Sequence, residues 1–305
     1  MKTGKQRRRS CARLKQSSIG PIVPKGRLRV NPCESTRATA RVRDRTRGRP
    51  AASVGFGYDR TMAALRDEAV VLTRLDYSET SQILVLFTRE HGKVRAIAKG
   101  IKRGTRTRFA AGIDLLDVGQ VVVSARQERG EALAILTEWK QTRSLSGLRE
   151  KLFRIHAAQY AAEVTAHLTE DWDPHPDVFD ALIATLIELS GCDEPLAAVV
   201  GYQLAMLGPI GSLPRFDACV LCERVQHLTH FSSFEGGLIC RHCEPGQVEK
   251  RELSPTTLAV LRGQREAVAA AGAFSVLNYH IAHLMGREPR VATTLVPRAS
   301  QRRVD

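Results

Sequence analysis

The sequence predicts an α+β protein: a five-stranded N-terminal β-barrel, then an α-helical domain with an inserted four-cysteine zinc ribbon. Three observations carry this. Five strand-like segments separated by turn residues lie between Glu68 and Glu138. Apolar residues at helical spacing take over from Ser144. Within that helical half, Cys219-x-x-Cys222 and Cys240-x-x-Cys243 stand as two pairs. The expected units are residues 62–142 for the barrel and 143–305 for the helices, with the ribbon at 215–250.

The first strand is expected at Glu68–Arg74. Ser81–Thr88 is a nearly unbroken apolar run, the pattern of a strand buried on both faces. Lys93–Lys99 alternates, with Val94, Ala96 and Ala98 on one side and Lys93, Arg95 and Lys99 on the other. Glu90-His91-Gly92 joins these two as a hairpin loop, with Gly92 free to take φ > 0. Ile113–Val118 leads into a fourth strand, Gly119–Ala125. A turn at Gln127-Glu128-Arg129-Gly130 then leads to a fifth, Ala132–Glu138. Short turns between so many strands fit a small barrel better than a sandwich.

Between Arg89 and Arg108 there are eight Lys/Arg and one acid, Glu90. Lys93, Arg95 and Lys99 share a strand face, and Lys102, Arg103, Arg106 and Arg108 follow in a loop beside it. Such a surface suits a nucleic-acid phosphate backbone. A solvated strand face has the same pattern, and spacing alone does not separate the two. Proteins that grip single strands stack bases on aromatics. Here the candidates are Tyr77, Phe87, Phe109 and Trp139, with Phe87 assigned to the core. Binding is therefore expected to rest on charge, with little base preference.

A first helix is expected from Ser144 to Leu168, a loop at Glu170–Pro176 (EDWDPHP), and helices at Asp177–Ser190 and Pro195–Leu207. Two more are expected at Ser254–Ala271 and Ser275–Met285. No Lys or Arg occurs from Ile155 to Pro214, and nine acids lie between Glu163 and Glu194. This acidic stretch reads first as a solvated surface only; the second reading is that it discourages DNA from the helical side. His156, His167 and His175 lack Cys or carboxylate partners at ligand spacing and read as structural. Cys192 reads as a small buried or half-buried residue.

The two Cys pairs, seventeen residues apart, each form a knuckle whose thiolates can face one ion. Together they give a tetrahedral zinc site with four sulfur ligands. With every position filled by protein, none is left for water, so the Zn2+ is structural. His242, inside the second knuckle, is not needed to complete the shell. A redox pair needs only one Cys-x-x-Cys, and a zinc deaminase needs His-x-Glu ahead of Pro-Cys-x-x-Cys, an arrangement the chain lacks. The chain has no HExxH, no phosphate-binding GxxxxGK[ST] and no GxGxxG. No enzyme is predicted.

Composition sets further bounds. The chain of 305 residues is 43% hydrophobic and 26% charged, as in ordinary globular proteins. No apolar run approaches the roughly 20 residues of a membrane span, so no membrane partner is expected. Seven Cys, four of them in these pairs, favour a reducing compartment over a disulfide framework. The formal charge of +14 resides entirely in residues 1–61, with 17 Lys/Arg and 3 acids; residues 62–305 hold 29 of each sign. Residues 1–61, rich in Arg, Ser, Gly and Pro, are expected to be disordered. They read as a basic DNA-binding arm, as a targeting peptide, or as sequence before a true start at Met62. The last is preferred, and it makes Cys11 and Cys33 irrelevant.

Three stretches carry a family resemblance. LFTREHGKVRAIAKGIKR (residues 86–103) resembles the N-terminal signature of the RecO family of bacterial recombination mediators. LAMLGPIGSLPRFDACVLC (204–222) and LNYHIAHLMGREPRVATTL (277–295) are similar to that family's approach to its first Cys pair and to its last helix. The N-terminal extension and the few aromatics on the barrel depart from the family. The resemblance implies that the barrel is an OB-fold and that the chain binds and anneals DNA strands without catalysis. It implies RecR and the single-stranded-DNA-binding protein as partners, in the RecF pathway at the bacterial nucleoid in the cytoplasm. An acidic tail of the latter partner would need cations on the helical body, where Arg149, Lys151 and Arg154 are nearest. From the residues alone, a zinc-ribbon transcription or translation factor stays open as the alternative.

Overall fold

The computed structural model describes residues 62–101, 113–126, 133–263 and 269–296, all within the unit Arg60–Asp305. The extension 1–61, the loop cations Lys102, Arg103, Arg106 and Arg108, Phe109 and the Gln127–Gly130 turn lie outside the described residues.

Five strands make the first sheet: β1 (Met62–Asp76), β2 (Gln82–Thr88), β3 (Gly92–Ala98), β4 (Val118–Arg126) and β5 (Ala134–Arg143). Their hydrogen-bonded order is β1-β2-β3-β5-β4, and β4 pairs back to β1, so the sheet closes on itself. The β3–β5 pairing is parallel and the rest are antiparallel. Alternation sorts the side chains. Ala69, Val71, Leu84, Leu86, Val94, Ala96, Val121 and Val123 fill the interior. Val85 and Phe87, on the outer face of β2, pack among the helices. That two-sided burial is the physical reason for the unbroken apolar run of β2.

Two features of this sheet depart from expectation. β1 begins at Met62 rather than Glu68, because Met62–Val70 pairs residue for residue with Arg126–Val118. Ala63 and Ala64 have weak strand preference, but the ladder to β4 satisfies their backbone groups. β5 carries a bulge: Val122 faces Glu138 while Val123 faces Leu136. The extra residue, Thr137, shifts the phase of the strand, and Trp139 turns inward beside Leu136. A Cβ on Gly119 would lie 2.9 Å from the Trp139 ring and 2.6 Å from the Lys140 carbonyl oxygen, so glycine makes the room.

A 3-10 turn at Ser146–Arg149 precedes α1 (Leu152–Leu168), which therefore starts later than Ser144. α2 (Pro176–Gly191) and α3 (Pro195–Leu207) follow, each with proline in its first turn, where a missing N–H costs nothing. α4 (Pro255–Leu261) is capped by Ser254, whose hydroxyl accepts from Thr257 N at 3.1 Å. The helix expected over Ser254–Ala271 is not continuous. It stops at Leu261, Gly263 takes φ +90°, and α5 (Ala270–Met285) starts anew before the short α6 (Ala292–Leu295). Among the described residues, no helix is long and apolar enough to cross a membrane.

A second sheet interrupts the helices: β6 (Arg215–Cys219), β7 (Leu228–Ser232), β8 (Gly237–Cys240) and β9 (Arg251–Glu252), in the order β6-β8-β7-β9. It docks on α5. The Phe231 ring meets His280 edge-on at 6.0 Å, and the Arg251 guanidinium lies 3.8 Å over the Tyr279 ring. One apolar core joins the outer face of the first sheet, the helices and this module. Phe87 of β2 lies 6.1 Å from Phe179 of α2 within it.

Candidate nucleic-acid interface and metal centre

The three expected cations of β3 have different fates. Lys93 is not on an open face, which corrects the expectation from strand alternation. It is 7% exposed, and its Nζ donates to the carbonyl oxygens of Ala166 (2.8 Å) and Thr169 (2.5 Å) at the end of α1. An ammonium there satisfies carbonyls that the helix leaves unpaired and meets the negative end of its dipole. The physical reason is the Glu170–Pro176 loop, which lies along the start of β3. Trp172 N donates to Lys93 O at 2.9 Å, and a Cβ on Gly92 would lie 2.1 Å from the Asp173 carbonyl oxygen. Gly92 is thus required twice, for that approach and for its φ of +71°.

Arg95 is exposed but pairs with Asp171 at 2.9 Å, and Asp171 also lies 3.3 Å from Lys93 Nζ. Lys99 is exposed and has no ion-pair partner among the described residues. The acidic stretch is therefore not simply a solvated surface: Asp171 pairs with Arg95 of β3, and Asp180 with Arg89 in the turn before it. The sequence did hold a signal for this, since the stretch is short of cations of its own. Of the aromatics, Tyr77 is 65% exposed in the β1–β2 turn, whereas Phe87 and Trp139 are buried. Trp139 is thereby removed as a stacking platform.

The cations of the helical body are committed as well. Arg149 pairs with Asp114 at 2.9 Å and Lys151 with Asp193 at 2.5 Å. Arg154 is buried and donates to the carbonyls of Cys192 (2.6 Å), Ser190 (2.9 Å) and Gly147 (3.2 Å), binding the end of α2 to the turn before α1. Of the histidines, His175 has a carboxylate neighbour, Asp173 at 3.0 Å, and His167 meets the Arg287 guanidinium at 2.5 Å. Cys192 is buried, as expected.

Cys219, Cys222, Cys240 and Cys243 come together, their sulfurs all within 4.8 Å of one another. Each knuckle is set by backbone geometry. Glu223 takes φ +60° and its N–H returns to Cys219 O at 3.0 Å, while Cys243 N–H returns to Cys240 O at 3.0 Å. Bonds of about 2.3 Å to a tetrahedral zinc put sulfurs about 3.8 Å apart, and Cys222 and Cys240 lie at 3.6 Å. The electrostatics also fit a cation. Burial opposes ionisation of Cys219, but N–H groups of Cys240, Leu221 and Cys222 outweigh it and bring the thiol down to about 7. Cys240 is lowered in the same way against its own burial. Cys243 is pushed up to about 12 by the sulfur of Cys222, then by burial and the sulfur of Cys240. A cation among these sulfurs removes that conflict. The donor set therefore fits zinc.

A closed five-stranded sheet followed by helices and an inserted four-cysteine module is matched in both halves by one class of recombination protein. Residues 62–145 match the family model described as Recombination protein O N terminal, and residues 149–285 match Recombination protein O C terminal. The chain belongs to the RecO family. It is 35% identical to the DNA repair protein RecO of Anaeromyxobacter dehalogenans over 227 residues, 74% of this chain and 87% of that one. It is 32% identical to that of Myxococcus xanthus over 235 residues (72% and 92%) and 31% to that of Bacillus subtilis over 195 (64% and 74%).

Proposed function

We propose that this chain is a non-catalytic recombination mediator that binds single- and double-stranded DNA through its first sheet and anneals complementary strands. Membership of the RecO family gives it a role in recombinational DNA repair, and the comparisons lend no support to a transcription or translation factor. The observation that carries the reading is that family matches cover both the closed sheet and the helical body with its cysteines. The strand order, with parallel β3–β5 and closure through β4, supports an OB-fold, a common scaffold for nucleic acids. The phosphate contacts are assigned to Arg95 and Lys99, continuing through Lys102, Arg103, Arg106 and Arg108. Lys93 is withdrawn from the set. RecR and the single-stranded-DNA-binding protein are the proposed partners, and the bacterial cytoplasm, at the nucleoid, the proposed location. The four cysteines would hold a structural Zn2+, which supplies a crosslink between the knuckles.

Nothing in the reading needs bond chemistry. The Ser233–His280 pair (2.8 Å) is buried, and the other ring nitrogen of His280 lies 3.0 Å from the Ser212 carbonyl oxygen, so the pair serves packing. The test is annealing of complementary strands coated with the single-strand binding protein, without any nucleotide. Faster annealing supports the reading. No acceleration, or turnover that one polar substitution abolishes, overturns it.

A further inference from the structure

The two cysteine knuckles enclose more than the sulfurs. Between them opens a cleft of about 810 Å³ lined by Arg224, Val225, Gln226, His227, Arg241 and His242, with buried Cys240 at its floor. Its wall is held by backbone bonds. Cys219 N donates to Arg224 O at 2.8 Å, Arg241 N donates to His227 O at 3.0 Å, and Glu223 and His227 take φ of +60° and +54°. Arg224 and Arg241 are exposed and have no ion-pair partner among the described residues, unlike most cations of the sheet and helices. The lining carboxylate, Glu223, is already paired: both its oxygens accept from Arg215 at 2.7 Å. Val225 is 66% exposed, an apolar surface beside the two guanidinium groups. Arginine planes stack on bases and pair with phosphates.

We propose that this cleft is a second single-stranded DNA site, which takes one strand by its phosphates while the first sheet holds the complement. The inference rests on the proposed annealing function and supplies what annealing needs, two places for two strands. They stand on different supports, since the first sheet packs on α1 and α2 whereas the cysteine module docks on α5.

The test uses the full chain, zinc loaded, with Arg224→Glu/Arg241→Glu and the milder Arg224→Gln/Arg241→Gln. Metal content and melting of each variant are matched to the parent first. Oligodeoxythymidine titrations should show two strands bound per parent chain and one per variant chain. The slope of log K against log salt should fall by about 1.4 for two lost single-strand phosphate contacts. Annealing should slow while one strand still binds. If both variants match the parent in stoichiometry, slope and annealing, the cleft is not a DNA site and only this inference falls. If the parent binds no DNA at all, the proposed function falls too.

Discussion

Replacing Lys93 with methionine separates a structural cation from a DNA-binding one. Its ammonium lies between the carbonyls of Ala166 and Thr169 with Asp171 at 3.3 Å, and it is almost wholly buried. Methionine keeps the apolar stem, so the packing loss is small. What goes is a charged donor to two carbonyls left behind at the end of α1. Each such bond contributes about 1.5–3 kcal/mol net, and the two are not additive because one ammonium makes both. About 3 kcal/mol is the expected loss of stability. For a unit of this size that lowers the melting temperature by about 6 °C, taking about 2 °C per kcal/mol. The salt slope of DNA binding should not change. Lys99→Met should do the reverse, with melting unchanged and the slope reduced by about 0.7. Calorimetry and salt-titrated anisotropy on the same preparations read both. A Lys93→Met protein that melts like its parent but loses slope would refute the buried placement and return Lys93 to the DNA surface.

Three further outcomes follow from other parts of the molecule. Cys219→Ser should abolish zinc uptake and unfold residues 215–250, since metal binding is coupled to folding by on the order of 10 kcal/mol in small ribbons; protein purified without chelator and free of zinc would count against a metal centre. Arg154→Ala leaves three carbonyls without their donor and should cost on the order of 3 kcal/mol, read as a shifted denaturant midpoint with unchanged DNA affinity. Burial lowers the pKa of His280 below its usual value of about 6.5, so its neutral form is favoured in the folded state. Its contribution to stability is thus fully present above about pH 6.5 and is lost as pH falls from there toward the folded value. The difference between parent and His280→Gln midpoints should be flat above that pH and shrink below it; a difference that grows on acidification would contradict the neutral form.

Local sequence was informative where one strand or turn decides its own fate. The two-sided burial of β2, the hairpin at Gly92, α3 and the cysteine cluster were all legible for that reason. Tertiary contacts hid the rest. Alternation assigns Lys93 the same outlook as Arg95 and Lys99, and nothing near it in sequence announces that residues 170–176 will cover it. The inward turn of Trp139 is hidden from the sequence because the bulge at Thr137 reverses the phase of β5, and a bulge is defined by the partner strand. The break after Leu261 is different: Gly263, at φ +90°, is a stop signal visible in the sequence itself, although apolar residues continue past it.

In the proposed function, strands are annealed by phosphate contacts on the basic stretch of the first sheet. Its most direct test is the annealing rate of strands coated with the single-strand binding protein, measured for Lys99→Glu/Arg103→Glu in the full chain. Two reversed charges remove two contacts and add repulsion, so binding should weaken for every sequence alike and annealing should drop with it, while melting and zinc content stay those of the parent. A double variant that binds and anneals as the parent does would mean that the stretch is only a solvated face and that the DNA site lies elsewhere.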